Sequence, residues 1–405
     1  MKKYILFIFS VFYGVLSYSQ DIKSIQLRAL GDNVYTAIVP IGTVLELSFD
    51  DLEADGKDYQ YKIEHMTHDW KKSRLFSSQF IDGFDENTII NVTNSFNTLQ
   101  SYTHYEVRIP NANTVITKSG NYLLSVLDED DDMVFTRKFV LYESVASVGL
   151  NVSRSRNTET LNTQQTIEFS VNYPNLRINN PQQEINVVLL KNENWNETIT
   201  DLQPTFFKPN QLKYTYSNKT NFWGGNEYLN FDSKFLRNKS INIVKIEKGD
   251  VFQHYVYPYT YDPYLTYRYN PDINGQFVFR ALEGNDARTE ADYARMHFTL
   301  EAEEPFNDKK VHVYGAFNNF EIDDETELTY NFDDSTYRGS VLMKQGFYNY
   351  TFATVDEFGI VNTNEINGSF FQTENQYTVI VYFKPFGSLY DRVIGMGSVS
   401  FNQNR

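Results

Sequence analysis

Hydrophobic and polar positions alternate along most of this chain with a period of two, and clusters of Asp, Asn, Gly and Pro interrupt the alternation every few residues. That pattern predicts antiparallel strands that bury one face. In TVLELSFDDLEADGKDYQYKIEH, positions 44, 45, 47 and 49 are apolar, a turn cluster runs from Asp50-Asp51 to Asp55-Gly56, and Tyr59, Tyr61 and Ile63 resume the alternation. Up to residue 142, strands are predicted over 25–30, 44–49, 59–65, 102–109, 121–127 and 135–142. Further strands are predicted over 167–173, 185–190, 212–216, 228–236, 241–246, 251–257 and 276–282. The last set covers 296–300, 310–314, 327–330, 337–342, 348–354, 377–383 and 391–401. The polar run 285–294 has room for one helical turn. The fold class is therefore all-β, built of tandem immunoglobulin-like or early-set β-sandwich domains. Composition shifts divide it into residues 1–19, 20–145, 146–290 and 291–405.

The first nineteen residues read as a secretory signal. Lys2-Lys3 is the positive region, 5–16 the apolar one, and Ser17-Tyr18-Ser19 supplies small residues before Gln20. The apolar run is short for a bilayer-spanning helix. There is no cysteine, so neither a disulfide nor a lipid-modified cysteine is expected. The formal charge is −16, and −18 once Lys2 and Lys3 are removed. Such a surface disfavours nucleic acid and anionic headgroups. Aromatics make up 16% of the chain, with 30 Tyr and 32 Phe, which suits sheet faces.

Segments SFDDLEADGKDYQYKIEH, FIDGFDEN, SFNTLQSYTHYEVRIPN and SGNYLLSVLDEDDD together resemble the plug-protein family of the type IX secretion system of Bacteroidetes. The matching positions are Phe49, Asp50, Asp51, Leu52, Tyr61, Lys62, Ile63, Glu64, His65 and Trp70. They continue with Gly83, Phe84, Ser95, Phe96, Asn97, Thr98, Gln100, Tyr102, Thr103, His104, Tyr105, Gly120, Asn121 and Tyr122. The resemblance weakens toward the C-terminus but spans nearly the whole chain after the leader. It implies a periplasmic protein, monomeric when free, that docks on the outer-membrane translocon barrel and seals its inner mouth when no substrate passes. A second resemblance covers about fifty residues. Gly315, Phe317, Asn318, Asn319, Gly346, Tyr348 and Tyr350 are similar to early-set modules that bind glycogen or precede starch-debranching domains. Those modules typically stack tryptophan on sugar, whereas Phe320 follows Asn318-Asn319 here. A periplasmic or surface carbohydrate-binding protein is thus the alternative reading, and a sandwich-built glycan hydrolase a more distant one.

Candidate chemistry is sparse. His65 and His68 lie three apart, which on a strand sends them to opposite faces and prevents joint ligation. His104 reads as a packed strand residue, and His254, His297 and His312 are scattered. The acidic run 128–132 offers hard oxygens for calcium but lacks the glycine and terminal glutamate of the common loop, so a solvated turn is expected. Gly224-Gly225 marks a bend, since no GxGxxG or GKS motif exists. No GxSxG or HExxH is present. The expectation is no enzyme, no cofactor and no metal. The densest unusual composition is FQHYVYPYTYDPYLTYRY at 252–269. There Tyr255, Tyr257, Tyr259 and Tyr261 would share one strand face, and with Tyr264 they form the candidate partner surface, since tyrosine gives amphipathic contact area at low entropy cost. The plainer reading is a cross-strand aromatic stack.

Overall fold

A computed structural model describes residues 21–31 and 37–402. The expected leader lies outside the described residues. Strands dominate, and the expected ones are present with ends shifted by a few residues: Ile22–Ala29, Leu45–Asp51, Gln60–Met66, Thr103–Ile109, Gly120–Leu127 and Met133–Tyr142 open the series. The polar run near 290 holds one short helix, Ala287–Glu290, capped by Asp286. Among the described residues no helix is long and apolar enough to cross a membrane.

The first body is a sandwich of two sheets. Strand Leu45–Asp51 lies between Ile22–Ala29 and Thr103–Ile109 in a four-stranded sheet whose far edge is Asn91–Asn94. The facing sheet runs Ile38–Pro40, Met133–Tyr142, Gly120–Leu127, Gln60–Met66, Glu86–Thr88. Between them pack Leu45, Leu47, Phe49, Tyr61, Ile63, Tyr105, Tyr122 and Leu124, each nearly or fully buried. Phe49 stacks on Tyr105 at 4.9 Å and meets Tyr59 edge-on at 5.3 Å, the offset and edge geometries that aromatic quadrupoles favour. Gly120 is required where it stands. At φ +154° its Cα lies so close to the His65 ring that a Cβ would come within 2.2 Å of Nε2.

Beyond residue 143 the chain does not proceed unit by unit. Strand Ile185–Lys191 pairs along its whole length with Asn375–Phe383, which pairs in turn with Arg392–Phe401. This sheet packs on Ser147–Arg154, Gln164–Asn172, Gln211–Tyr214 and Phe206–Lys208 to give the second body. The third body is an excursion between its strands. One continuous ladder runs from Leu229–Asp232 through Gly346–Val355, Lys310–Tyr314, Glu327–Asn331, Thr336–Lys344, Tyr293–Glu301 and Phe252–Val256 to Ile243–Lys248. Ladders therefore cross the expected cut between residues 290 and 291 in both directions. Alternation reports which face of a strand is buried, not which distant strand it joins, and so carries no trace of this return.

The three bodies are packed on one another. Ile38 and Val140 of the first share an apolar cluster with Val188, Leu190, Ile380, Tyr382 and Val393 of the second, flanked by Trp70 and Trp195 in edge contact at 4.8 Å. Around it, Asp391 Oδ2 accepts from the His68 amide at 3.0 Å, and Tyr382 donates to Asn121 Oδ1 at 2.8 Å. The second and third bodies are joined by Asn196, whose amide donates to the Phe320 carbonyl, and Gln165 anchors the segment that returns the chain to the second body, its amide donating to the Phe371 and Thr373 carbonyls.

Candidate functional site

The first and third bodies meet at a buried ionic joint that begins in the sequence SFDD. Alternate residues of strand Leu45–Asp51 enter the sandwich core, so Glu46, Ser48 and Asp50 face the other way. All three are buried: Glu46 lies under Arg28 and Arg108 of its own sheet, whereas Asp50 is closed over by Tyr293 and Lys344 of the third body. Asp50 is fully buried and its carboxylate is saturated. Oδ1 accepts from His104 Nδ1 at 2.7 Å, and Oδ2 accepts from Tyr293 OH at 2.7 Å and from Lys344 Nζ at 2.7 Å. Lys344 is 1% exposed at its side chain, donates also to the Arg288 carbonyl at 2.6 Å, and lies 4.2 Å from the Tyr102 ring centroid. Ser24 sits in a bulge of strand Ile22–Ala29 with φ 56°, and its hydroxyl donates back to Tyr293 OH at 2.5 Å.

Burial alone would raise the Asp50 carboxyl, but the Lys344 ammonium and the His104 ring overcome it and hold the group below the ordinary carboxylate range. Burial pushes the Lys344 ammonium down, with Asp50 opposing. The pair is thus a charged one, kept so by three donors on one carboxylate.

A clamp beside it completes the joint. The backbone amides of Leu99 and Gln100 donate to the two Asp292 carboxylate oxygens at 2.6 and 3.1 Å. The Phe96 amide donates to the Thr289 carbonyl at 2.9 Å, and Tyr102 OH donates to the Ala291 carbonyl at 2.8 Å. Leu52, Tyr102 and Tyr293 form a small buried cluster over it. The segments SFDDL and SFNTLQSYTHY, which carry much of the family resemblance, are thereby committed to an internal joint.

The turn expected at Asp50-Asp51 is a correction. Both residues belong to the strand, and both are 0% exposed. Asp51 is held by Tyr59 OH at 2.8 Å and the Glu53 amide at 2.9 Å. Adjacent carboxylates read as solvated when two partners of one of them, Tyr293 and Lys344, lie more than two hundred residues from it, as they do for Asp50. Lys344 and Tyr293 carry no local signal that would have paired them with this strand.

The histidines are dispersed among structural partners. His65 is buried among Phe80, Tyr122 and Tyr390, and burial pushes its pKa down to about 4. His68 lies against Asp391 at the seam with the second body, and does not converge with His65. His254 Nε2 meets the Leu236 carbonyl at 2.9 Å and His297 Nε2 meets Gln253 Oε1 at 2.8 Å. In the acidic run, Asp128 Oδ1 accepts the amides of Asp130 and Asp132, so that carboxylate serves the turn.

The tyrosine-rich stretch is not one strand. The ladder ends at Val256, Pro258 interrupts it, and Tyr259–Thr260 pairs separately beside Tyr293–Glu301. Tyr255 stacks on His297 at 4.5 Å and donates to Glu247. Tyr259 and Tyr261 pack on the third core, while Tyr257 and Tyr264 are 66% and 87% exposed. Phe317 packs on the same core, and Phe320 is 6% exposed beside Tyr314, so neither forms an open platform for a sugar ring. The nearby carboxylates are also engaged. Asp323 caps Thr326, Glu325 pairs with Lys23 at 2.6 Å, and Glu321 accepts from Asn319.

Residues 22–143 match the family described as Type 9 secretion system plug protein 1st domain. A crystal structure of a hypothetical protein from Parabacteroides merdae is similar over 94% of this chain and 97% of its own, with 31% identity and a TM-score of 0.89. An enterococcal surface protein N-terminal region aligns at 7% identity over 97% of both chains with a TM-score of 0.19. No curated protein matches. The first body's match and the placement of the resembling residues agree: this chain belongs to the plug-protein family of the type IX secretion system.

Proposed function

We propose that the protein is a non-enzymatic periplasmic plug that docks on the outer-membrane translocon barrel and obstructs its periplasmic opening when no substrate is passing. The observation that carries this reading is the Asp50–Lys344 joint. An obstruction needs a body that does not deform, and interfaces between domains of one chain are usually loose. Here a charged pair only 1% and 0% exposed lies between bodies, and breaking such a pair is costly. Rigidity of this kind suits a plug.

Docking requires exposed contact surface. Tyr257 and Tyr264 are the tyrosines of the candidate set that stand exposed for it, while Tyr259 and Tyr261 pack on the third core and Tyr255 on His297. Strand Asn91–Asn94 is a second route, since it pairs on one side only and is exposed throughout. Such an edge takes up a partner strand through main-chain hydrogen bonds.

The test is co-isolation. Tagged protein is recovered in gentle detergent from outer-membrane extracts with and without the substrate-carrying partner. Recovery of the translocon barrel, increased when the carrier is absent, supports the plug. Recovery alone, or with envelope polysaccharide, overturns it.

A further inference from the structure

Where the three bodies meet, two cavities of about 220 and 90 Å³ share Ile25, Arg137 and Phe277 as a common wall. Arg137 comes from strand Met133–Tyr142 of the first body. A guanidinium carries five N–H donors. Among the described residues, Arg137 uses Nη1 toward the carbonyl of its own neighbour Thr136 at 2.8 Å, and lies 5.5 Å from the Phe135 ring. Burial pushes its pKa down, with Glu321 opposing from a distance. Glu321 is itself engaged by Asn319. Arg137 is half-buried in this wall, and no carboxylate contacts its guanidinium among the described residues, so an anion that enters the cavity meets an unpaired cation.

Two further groups in the smaller cavity want partners. Gln26 of the first body and Gln276 of the third are 5% and 8% exposed, and both line it. Gln26 Nε2 and Gln276 Oε1 make no hydrogen bond among the described residues. A buried donor and a buried acceptor left open on facing bodies are each unfavourable. Trp195 of the second body and Phe320 of the third give the cavity aromatic walls.

We infer that this seam binds a small α-amino or α-hydroxy carboxylate, its carboxylate held by Arg137 and the Gln26 amide, its amino or hydroxyl donor by Gln276. The charge follows from the unpaired guanidinium, which matches a carboxylate in a two-pronged geometry. The donor follows from the open Gln276 oxygen. The size follows from the cavity, which is too small for an oligosaccharide or a folded partner segment. Water would satisfy the two amides but leave the guanidinium uncompensated. Because the walls come from all three bodies, the ligand binds the assembled arrangement and stabilises it by linkage.

The full chain is titrated in chloride buffer with glycine, glycolate, acetate and ethanolamine at matched ionic strength, following Tm and native mass. Glycine and glycolate are expected to give a saturable rise in Tm, acetate a weaker one, and ethanolamine none. Arg137→Gln is expected to weaken the apparent affinity about tenfold to a hundredfold. Gln276→Leu is expected to abolish the preference of glycine and glycolate over acetate while keeping the acetate response. This second variant keeps the test decisive if Arg137→Gln fails to fold. No saturable shift with any carboxylate, equal responses in both variants and the parent, or only water on Arg137 in ligand-soaked crystals would overturn the inference.

Discussion

Replacing Lys344 with Met tests the joint at its centre. The ammonium lies 2.7 Å from Asp50 Oδ2 with both groups almost wholly enclosed. At an effective dielectric of about 20, charges that close attract by about 6 kcal/mol, part of which is offset by desolvation. Met fills the space of the side chain but leaves Asp50 charged and buried with only His104 and Tyr293. The expected loss is about 3–5 kcal/mol. Because three bodies need not unfold as one, the readout is local hydrogen exchange at Phe96, Leu99 and Gln100, whose amides bridge to the third body. That loss corresponds to exchange faster by about a hundredfold to a few thousandfold. Adding Asp50→Asn to Lys344→Met is expected to recover about 1–3 kcal/mol, since the orphaned charge is gone. The wild-type contribution is present above the ordinary carboxylate value near 4 and is lost as pH falls through the depressed Asp50 value. A change of less than about tenfold at these amides in Lys344→Met would refute the reasoning.

Three further outcomes are expected. Asp292→Ala removes the acceptor of the Leu99 and Gln100 amides, and should loosen the 95–102 segment by about 2 kcal/mol, read by its susceptibility to protease. Gly120→Ala places a methyl against the His65 ring and should lower first-body stability by about 2 kcal/mol or more, partly restored by adding His65→Ala; an unchanged urea midpoint would count against the close approach. Acidification should act oppositely on two bodies. His65, depressed to about 4, withdraws stability from the first sandwich as pH falls from about 6.5 toward 4. Asp272 is raised to about 7 by burial, reinforced by the charges of Glu227 and Glu374, so the segment it holds through the Tyr228 and Asn274 amides is firmest at low pH and loosens as pH rises from about 4 to 7. Asp272→Asn should flatten that second slope, measured by exchange over residues 265–276.

The strands were legible because each buries one face. Leu45, Leu47 and Phe49 alternate with polar residues whether or not their sheet has a partner, and the expected and observed strands coincide closely there. The same alternation hid the joint. Asp50 and Asp51 end an apolar run, and carboxylates in that position usually mark a turn; Asp51 finds local partners in Tyr59 and the Glu53 amide, but burial of Asp50 depends on a lysine 294 residues away. The return of Asn375–Phe383 to Ile185–Lys191 was invisible for a related reason, as pairing across such a separation leaves no mark in either segment. The tyrosine stretch failed at one residue. Pro258 breaks the ladder, so Tyr257 points out while Tyr259 and Tyr261 pack on the core. The family resemblance reached what periodicity did not, because it rests on residues such as Asp50, Tyr102 and His104 that serve the joint.

The most direct test of the plug is a conductance measurement on the translocon barrel reconstituted in a planar bilayer. The account predicts that protein added on the periplasmic side lowers the open-pore current, and that Lys344→Met, with its joint loosened, blocks less completely at the same concentration. An open-pore current unchanged by saturating protein would contradict it.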